Sequence, residues 1–240
     1  MKNNNYVLFY KTNENDTWKS KRPDLPFEQW DDYAKEQGYT KYDIKDLRNY
    51  DAMMLHLTTD IVLFDGKYYL PNEKIDYPDS KANYINDFEI ETVLEEENEK
   101  DEEYFDEVYN EDGICWNFGY LWTEITTKFI FLHKTIELSL IAQEIVENLP
   151  EFIADLEKNS YAVYINMEFS KFKWLAWVYE DKVRLIHQTY VDYTPEIEFD
   201  IIVDKDWFFA FCKDLIKTMK EYADKDLKKY QEYVLEKYGK

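Results

Sequence analysis

The chain has 240 residues, 45% of them hydrophobic, which is enough for a folded core in one large domain or two small ones. Its 51 acidic residues outnumber 29 basic ones, and the net charge of −22 excludes a protein that grips nucleic-acid phosphates with a basic face. The five glycines are too few for a glycine-rich phosphate-binding loop or a collagen-like repeat.

The first third of the chain predicts short, mixed α and β elements, which we assign to an N-terminal part at residues 1–86. Tyr6 to Tyr10 is rich in β-prone residues and predicts a strand. Helices are predicted over Pro26 to Gly38 and over Asp43 to Ala52. Between Ile61 and Leu70, two β-prone runs flank an Asp-Gly pair, which favours a tight β-hairpin.

Residues 87–112 form an acidic segment. It holds 14 acidic residues and one lysine, so it carries −13 of the total charge of −22. Four apolar side chains within it, Tyr104, Phe105, Val108 and Tyr109, follow a near-helical spacing. We therefore expect either a solvated acidic loop or helix, or a negatively charged surface for a basic partner.

The remaining residues, 113–240, predict a more regular unit that begins with a strand and a helix. Thr127 to His133 predicts the strand. The apolar residues from Ile136 to Leu149 follow the spacing of three and four residues that is typical of an amphipathic helix. Pro150 is expected to break or kink that helix, with a further helical segment after it.

Four strands and a long helix complete this unit. The predicted strands are Tyr161 to Phe169, Trp174 to Glu180, Val183 to Val191 and Glu196 to Val203. Apolar and polar residues alternate along them and the connections are short, which predicts an antiparallel meander with one buried face. In the first strand the apolar residues that share a face are Tyr161, Val163, Ile165, Met167 and Phe169. Asp204 is placed to cap the final helix.

These elements predict the α+β class, with helices packed on an antiparallel β-meander. The order is helix, four strands and long C-terminal helix, preceded by the mixed N-terminal part with its hairpin at 61–70. The sequence thus divides into residues 1–86, an acidic segment at 87–112 and an α+β unit at 113–240. No linker rich in Gly, Ser or Pro separates them, so we expect one compact domain overall.

The sequence also favours a cytoplasmic protein. Its first ten residues lack the features of a signal peptide, and no apolar run approaches the roughly 20 residues that span a bilayer. Cys115 and Cys212 lie among aromatic residues and are expected to be buried free thiols in a reducing cytosol. The three histidines are isolated, without the spacing of a zinc site. We expect no membrane contact, no cofactor and no structural metal.

Two short patterns allow an enzyme as the alternative hypothesis. Glu196, Glu198 and Asp200 alternate on one face of a predicted strand, about 7 Å apart, where carboxylates can hold Ca²⁺ or Mg²⁺. Residues 180–182, Glu-Asp-Lys, match the E-x-K half of a nuclease pattern that uses Mg²⁺. Such carboxylates are more often the solvent face of a half-buried strand, and the E-x-K pattern lies at a predicted turn. A carboxylate-based hydrolase or nuclease, with or without a metal, is the resulting alternative.

Aromatic residues make up 18% of the chain, and 22 of its residues are tyrosines, which are favoured at protein interfaces. Trp174, Leu175, Trp177 and Tyr179 cannot all share one face of a strand. If one face is core, the other either exposes large aromatic side chains or is covered by another part of the chain.

Together these features favour a non-catalytic binding protein, because complementary charge speeds association with a basic partner. We expect that partner to be a protein, such as a nuclease, a toxin or a defence-system enzyme, with no direct contact to nucleic acid. The chain would then be a toxin-immunity protein, or a phage-encoded inhibitor of bacterial defence that mimics nucleic-acid charge. The predicted contact residues are Glu95, Glu96, Glu97, Asp101, Glu102, Glu103, Tyr104, Trp174, Trp177 and Tyr179.

Overall fold

The computed structural model describes residues 6–42, 50–59, 61–64, 67–70, 83–84, 89–91, 102–112, 115–131, 134–167 and 170–239. The chain divides into two compact units. Unit 1 comprises Met1–Lys81 and His187–Glu198, and unit 2 comprises Ala82–Ile186 and Phe199–Lys240. The division predicted from the sequence, with bounds at residues 86 and 112, stays a prediction.

Unit 1 is built from short strands and helices. Its first segment, Met1–Lys81, contains β1 (Leu8–Lys11), β2 (Lys19–Lys21), a 3-10 turn (Phe27–Gln29), α1 (Trp30–Glu36), β3 (Thr40–Tyr42), α2 (Tyr50–Leu57), β4 (Val62–Phe64) and β5 (Lys67–Tyr69). β1 lies between β2 and β3 and is antiparallel to both, and β4 is antiparallel to β5. The predicted N-terminal strand and hairpin are confirmed, while the Asp-Gly turn lies outside the described residues.

Helices α1 and α2 of unit 1 differ in how well the sequence predicts where they end. After α1, Gly38 adopts a φ of +67°, which glycine reaches without strain, and the backbone N–H of Tyr39 donates to the Ala34 carbonyl at 2.8 Å. This is the predicted end of that helix. α2 continues to Leu57, beyond its predicted end at Ala52, because its last turns are buried in the unit 1 core. Residues 43–49 lie outside the described residues.

Residues 187–198 join unit 1 through contacts that are distant in sequence. The Gln188 side-chain amide donates to the Leu63 carbonyl at 2.9 Å. His56 Nδ1 lies 2.8 Å from the Tyr190 hydroxyl oxygen, and both rings meet edge to face. Unit 1 is therefore completed by residues that follow most of the chain.

Unit 2 contains the longer elements. They are β6 (Asn83–Tyr84), β7 (Glu89–Glu91), α3 (Glu102–Asp112), α4 (Phe118–Trp122), β8 (Glu124–Phe131), β9 (Lys134–Ile141), α5 (Ala142–Asn159), β10 (Tyr161–Asn166), β11 (Phe172–Tyr179), the first half of β12 (Lys182–Val191), the second half of β13 (Thr194–Asp204) and α6 (Lys205–Tyr238). The remaining residues of β12 and β13 belong to unit 1. The strands β10, β11, β12 and β13 lie side by side in chain order, and β6 adds a parallel edge next to β13. The predicted α+β class, the antiparallel meander and the long C-terminal helix are confirmed.

The predicted helix over Ile136 to Leu149 is wrong in its first half. Residues 134–141 form β9, which pairs with β8 along its whole length, and the helix begins only at Ala142. Ile136, Leu138 and Leu140 alternate with polar residues, so that in a strand all three side chains lie on one buried face. This alternating pattern prevails over the helical spacing. Of the two outcomes predicted at Pro150, the break is wrong, since α5 passes through Pro150, and the kink stays a prediction.

The core of unit 2 lies where α5 and α6 pack on the sheet. In β10 the fully buried residues are Ala162, Tyr164 and Asn166, whereas Tyr161, Val163 and Ile165 are only half-buried. The buried face is thus the opposite of the apolar one predicted from the sequence. Tyr164 faces the helices, with its ring 5.9 Å from that of Phe152 in α5, and belongs with Ala162 to the core of unit 2.

α6 is the scaffold of unit 2. It begins at Lys205 and is capped by Asp204, as predicted, whose carboxylate accepts a hydrogen bond from the Trp207 backbone N–H at 3.1 Å. α4 crosses α6 at Gly119, where an added Cβ would lie 1.7 Å from the backbone oxygen of Ala223. Only a residue without a side chain permits such a close approach.

Candidate partner-binding surface

The acidic segment contributes an ordered helix to the described residues. Glu102 is the first residue of α3, Glu103 is exposed and Tyr104 is half-buried. The predicted contact residues Glu95, Glu96, Glu97 and Asp101 lie outside the described residues. α3 has six acidic residues among eleven and no lysine or arginine.

The apolar side of α3 is held against α6 and α4. Phe105 and Val108 are buried in a cluster with Phe118, Tyr230 and Val234. The Phe105 ring lies 5.5 Å from that of Phe118 and 5.7 Å from that of Tyr230, both edge to face. The near-helical spacing of the apolar residues in this acidic sequence is therefore the packing face of a helix.

A carboxylate of α3 adds a polar anchor at the C-terminal end of α6. Asp106 accepts hydrogen bonds from the Lys237 ammonium group, from the Tyr238 hydroxyl at 2.6 Å and from the Tyr233 hydroxyl at 2.7 Å. These bonds, with that of Lys237 the strongest, lower the pKa of Asp106 to about 2. Tyr109 of α3 also stacks on Tyr238, with ring centroids 3.9 Å apart.

This docking leaves the other side of α3 acidic and open to solvent. Glu103 and Glu107 are exposed, and because they are four residues apart they lie on the same face of the helix. By contrast, α6 carries eight lysines and seven acidic residues and is nearly balanced. The negative charge is therefore concentrated on the smaller helix, which we call the acidic helix.

The predicted aromatic contact residues of β11 have different environments. Trp174 is 0% exposed and belongs to the core of unit 2, where it cannot meet a partner, which corrects its prediction as a contact residue. Trp177 is half-buried with its ring 5.2 Å from that of Tyr161, and Tyr179 is 41% exposed. Trp177 and Tyr179 remain candidates for a partner surface.

The weak carboxylate candidates for a metal site are largely engaged with basic side chains. Asp200 receives two hydrogen bonds from the buried Arg184, from Nε at 2.9 Å and from Nη2 at 2.6 Å. Glu198 lies 3.5 Å from Nε2 of the buried His187, and Glu196 is exposed. The Arg184 guanidinium occupies the Asp200 oxygens that a metal ion would need, so this face does not offer three available ligands.

The remaining reactive candidates also have structural contacts. Lys182 of the E-x-K pattern follows the turn at residues 180–181 and pairs with Asp181 and Asp204 at 3.5 and 3.6 Å. Cys115 and Cys212 are buried free thiols, as predicted. Burial raises the pKa of the Cys212 thiol well above its usual range, which keeps it protonated and unreactive.

A cluster in unit 1 was not predicted from the sequence. The Lys21 ammonium group lies among three tyrosine rings, 4.7 Å from the ring centroid of Tyr10, 4.6 Å from that of Tyr33 and 4.3 Å from that of Tyr39. It donates hydrogen bonds to the hydroxyls of Tyr33 at 2.7 Å and Tyr39 at 3.2 Å. We call these three rings the tyrosine cage. No short motif marks it, because its members come from separate elements that only the fold brings together.

Comparison with protein-family models, curated proteins and solved structures gives no match to this chain. Within the described parts of the chain, no group of three or more His, Cys, Asp or Glu side chains is arranged to hold a metal ion. Among the helices described above, none has both the length and the apolar character to cross a membrane. The function is therefore inferred from the chain's own residues.

Proposed function

We propose that this chain is a non-catalytic acidic binding protein that docks on a basic partner which handles nucleic acids. The partner would be a nuclease, a toxin or a defence-system enzyme, and the carboxylates of this chain would occupy its phosphate-binding surface. The chain would act in the cytoplasm, as a toxin-immunity protein or as a phage-encoded inhibitor of bacterial defence.

The observation that carries this proposal is the fixed position of the acidic helix. Its apolar side and Asp106 bind it to α6, so Glu103 and Glu107 are presented on an ordered backbone. A charged surface that is already ordered loses less conformational entropy on binding than a flexible acidic loop would. This arrangement suits electrostatic docking on a basic surface.

An enzyme of the carboxylate type has less support. Its metal would need Glu196, Glu198 and Asp200, and Asp200 already forms a bidentate pair with Arg184. Recruiting that carboxylate to a metal would leave a buried guanidinium without its bidentate partner, which is energetically costly.

The test is a charge reversal with a matched control. Glu103→Lys with Glu107→Lys changes the charge of the acidic helix by +4, and Glu151→Lys with Asp155→Lys makes the same change at two exposed positions of α5 with the same spacing. Wild-type protein first captures its partner from a lysate of the native host, and association rates with the purified partner are then measured at low and high salt.

We expect a basic partner and a slower association of the α3 variant at low salt, by about threefold or more, with little effect of the α5 variant. The difference should shrink as salt screens exposed charges. Extending the reversal to Glu95, Glu96, Glu97, Asp101 and Glu102 should deepen the effect. Association that responds neither to the α3 reversal nor to salt would contradict the proposal and favour the surface of Trp177 and Tyr179.

A further inference from the structure

We propose that the tyrosine cage is a binding site for a primary alkylammonium group, and that Lys21 is its internal, exchangeable occupant. A primary alkylammonium is the chemistry of a lysine side chain and of a free aliphatic amine. The site lies in unit 1 and does not depend on the acidic helix or on the partner proposed above.

The occupant itself indicates the ligand class. Three tyrosine ring centroids lie within 4.7 Å of one ammonium group, which is attracted by the ring of Tyr10 and by the hydroxyl ends of Tyr33 and Tyr39. Partial burial opposes the charge of Lys21, yet its hydrogen bonds to Tyr33 and Tyr39 outweigh this and raise its pKa. The cage therefore favours the charged form of an amine.

The hydroxyl groups of the cage determine how many alkyl groups the nitrogen of the ligand can carry. Tyr33 and Tyr39 both accept hydrogen bonds from the Lys21 ammonium group. A primary ammonium keeps these two bonds, whereas a quaternary ammonium has no N–H to donate. The site should thus prefer unmodified lysine chemistry to trimethylated lysine chemistry.

The walls of the cage are positioned without the help of Lys21. Tyr10 lies in β1, the central strand of its sheet, and Tyr33 lies in α1. Tyr39 is placed by the turn at Gly38, and its backbone N–H donates to Ala34 at 2.8 Å. The rings of Tyr10 and Tyr39 also lie 4.4 Å apart. Removal of the lysine side chain should therefore leave a preformed site.

Lys21 is held in the cage by its side chain alone. It lies at the end of β2, an edge strand, where its backbone is paired opposite Leu8. All four residues of the cluster are half-exposed, so a ligand can reach the rings from solvent. Rotation of the flexible lysine stem vacates the cage without breaking strand pairing, and the net charge of −22 attracts a replacement cation.

The experiment compares two probes on a Lys21→Ala variant by NMR titration. The probes are n-butylammonium and n-butyltrimethylammonium, which share a chain length and charge but differ in N–H groups. We expect the variant to bind n-butylammonium roughly tenfold more tightly than the quaternary probe, because hydrogen bonds to a charged group are lost with the latter. Wild-type protein should bind n-butylammonium about tenfold or more weakly than the variant, since Lys21 competes for the site.

Three controls separate the site from nonspecific attraction. Lys19→Ala removes a lysine from the same strand but leaves the cage filled, so it should behave as wild type. Lys21→Ala combined with Tyr33→Phe and Tyr39→Phe keeps the rings but removes the acceptors, so the preference for the primary amine should disappear. A lysine with blocked α-amino and α-carboxyl groups tests where the alkylammonium group comes from. Binding of this probe as tight as that of n-butylammonium indicates a lysine of a partner protein, and much weaker binding indicates a free amine.

A measurement on wild-type protein covers the case in which Lys21→Ala fails to fold. The ε protons of Lys21 should show ring-current shifts that relax toward ordinary lysine values as n-butylammonium is added. Equal affinity of Lys21→Ala and Lys19→Ala for n-butylammonium would overturn the proposal. So would equal affinity of Lys21→Ala for both probes, or Lys21 protons that stay shifted at high probe concentration.

Discussion

Single residues show how this acidic chain places its few arginines. Only three of its 29 basic residues are arginines, and one of them, Arg184, is fully buried. Its planar guanidinium donates to both carboxylate oxygens of Asp200, a bidentate geometry that arginine forms and lysine does not. The pair fixes β12 against β13 within unit 2, and its removal on one side would leave a buried charge.

This pair predicts a strong effect of Asp200→Asn. We expect the free energy of unfolding to fall by about 3 kcal/mol, because the buried Arg184 guanidinium loses its bidentate charged partner. Glu196→Gln, which removes the same charge from an exposed position of the same strand, should change it by less than about 0.5 kcal/mol. Urea unfolding followed by circular dichroism measures both, and equal effects would show that the pair is not structurally important.

At the scale of elements, the helices of unit 2 are fitted to α6 by close contacts. α4 approaches α6 at Gly119, the Tyr120 hydroxyl donates to Asp224 and the Thr123 hydroxyl donates to Asp226. α3 is held beside them through Phe105 and Asp106. α6 thus carries both smaller helices, and the position of the acidic surface depends on its contacts.

Gly119→Ala should destabilise the protein by about 1–3 kcal/mol, because the new methyl group forces α4 away from α6. The added Cβ would collide with the backbone oxygen of Ala223 and not with its side chain. Adding Ala223→Gly should therefore fail to restore stability, as measured by thermal unfolding. Recovery in the double variant would mean that the side chain and not the backbone limits the approach.

The docking of the acidic helix should depend on pH through Asp106. Its pKa falls from 3.8 to about 2 in the folded protein, so its contribution is fully present above about pH 4 and is lost as the pH falls toward 2. The stability difference between wild type and Asp106→Asn, measured by urea unfolding, should be larger at pH 5 than at pH 2.5. An equal stability difference at the two pH values would refute the role of Asp106.

Much of the fold could be predicted from the sequence, and each error of that prediction has a local cause. The meander, the hairpin and the cap at Asp204 follow from alternation, turn residues and capping chemistry. The strand β9 was missed because Ile136 and Leu140 satisfy both helical and alternating patterns, and only pairing with β8 decides between them. The tyrosine cage and the burial of Trp174 depend on tertiary packing, which a single sequence does not encode in a short pattern.

At the scale of the whole molecule, the charge is unevenly distributed. α6 is nearly balanced, while the acidic segment carries −13 of the total. Such asymmetry places most of the negative potential away from the scaffold helix. It also means that the net charge alone does not indicate where on the surface a cation would be attracted.

The protein as a whole should fold without a metal ion. Its apolar core is extensive, and Asp200 and Glu198 already face Arg184 and His187. Thermal unfolding curves with and without EDTA should therefore coincide. A large drop of the midpoint in EDTA would show that Glu196, Glu198 and Asp200, or another set of carboxylates, holds a structural ion.

The contacts of residues 187–198 have a consequence for synthesis on the ribosome. Leu63 and Gln188, which are hydrogen-bonded in unit 1, are separated by 125 positions. At about 5–20 residues per second, the ribosome adds Gln188 roughly 6–25 s after Leu63. Unit 1 therefore lacks its second segment throughout that interval, although residues 82–186 of unit 2 are synthesised during it.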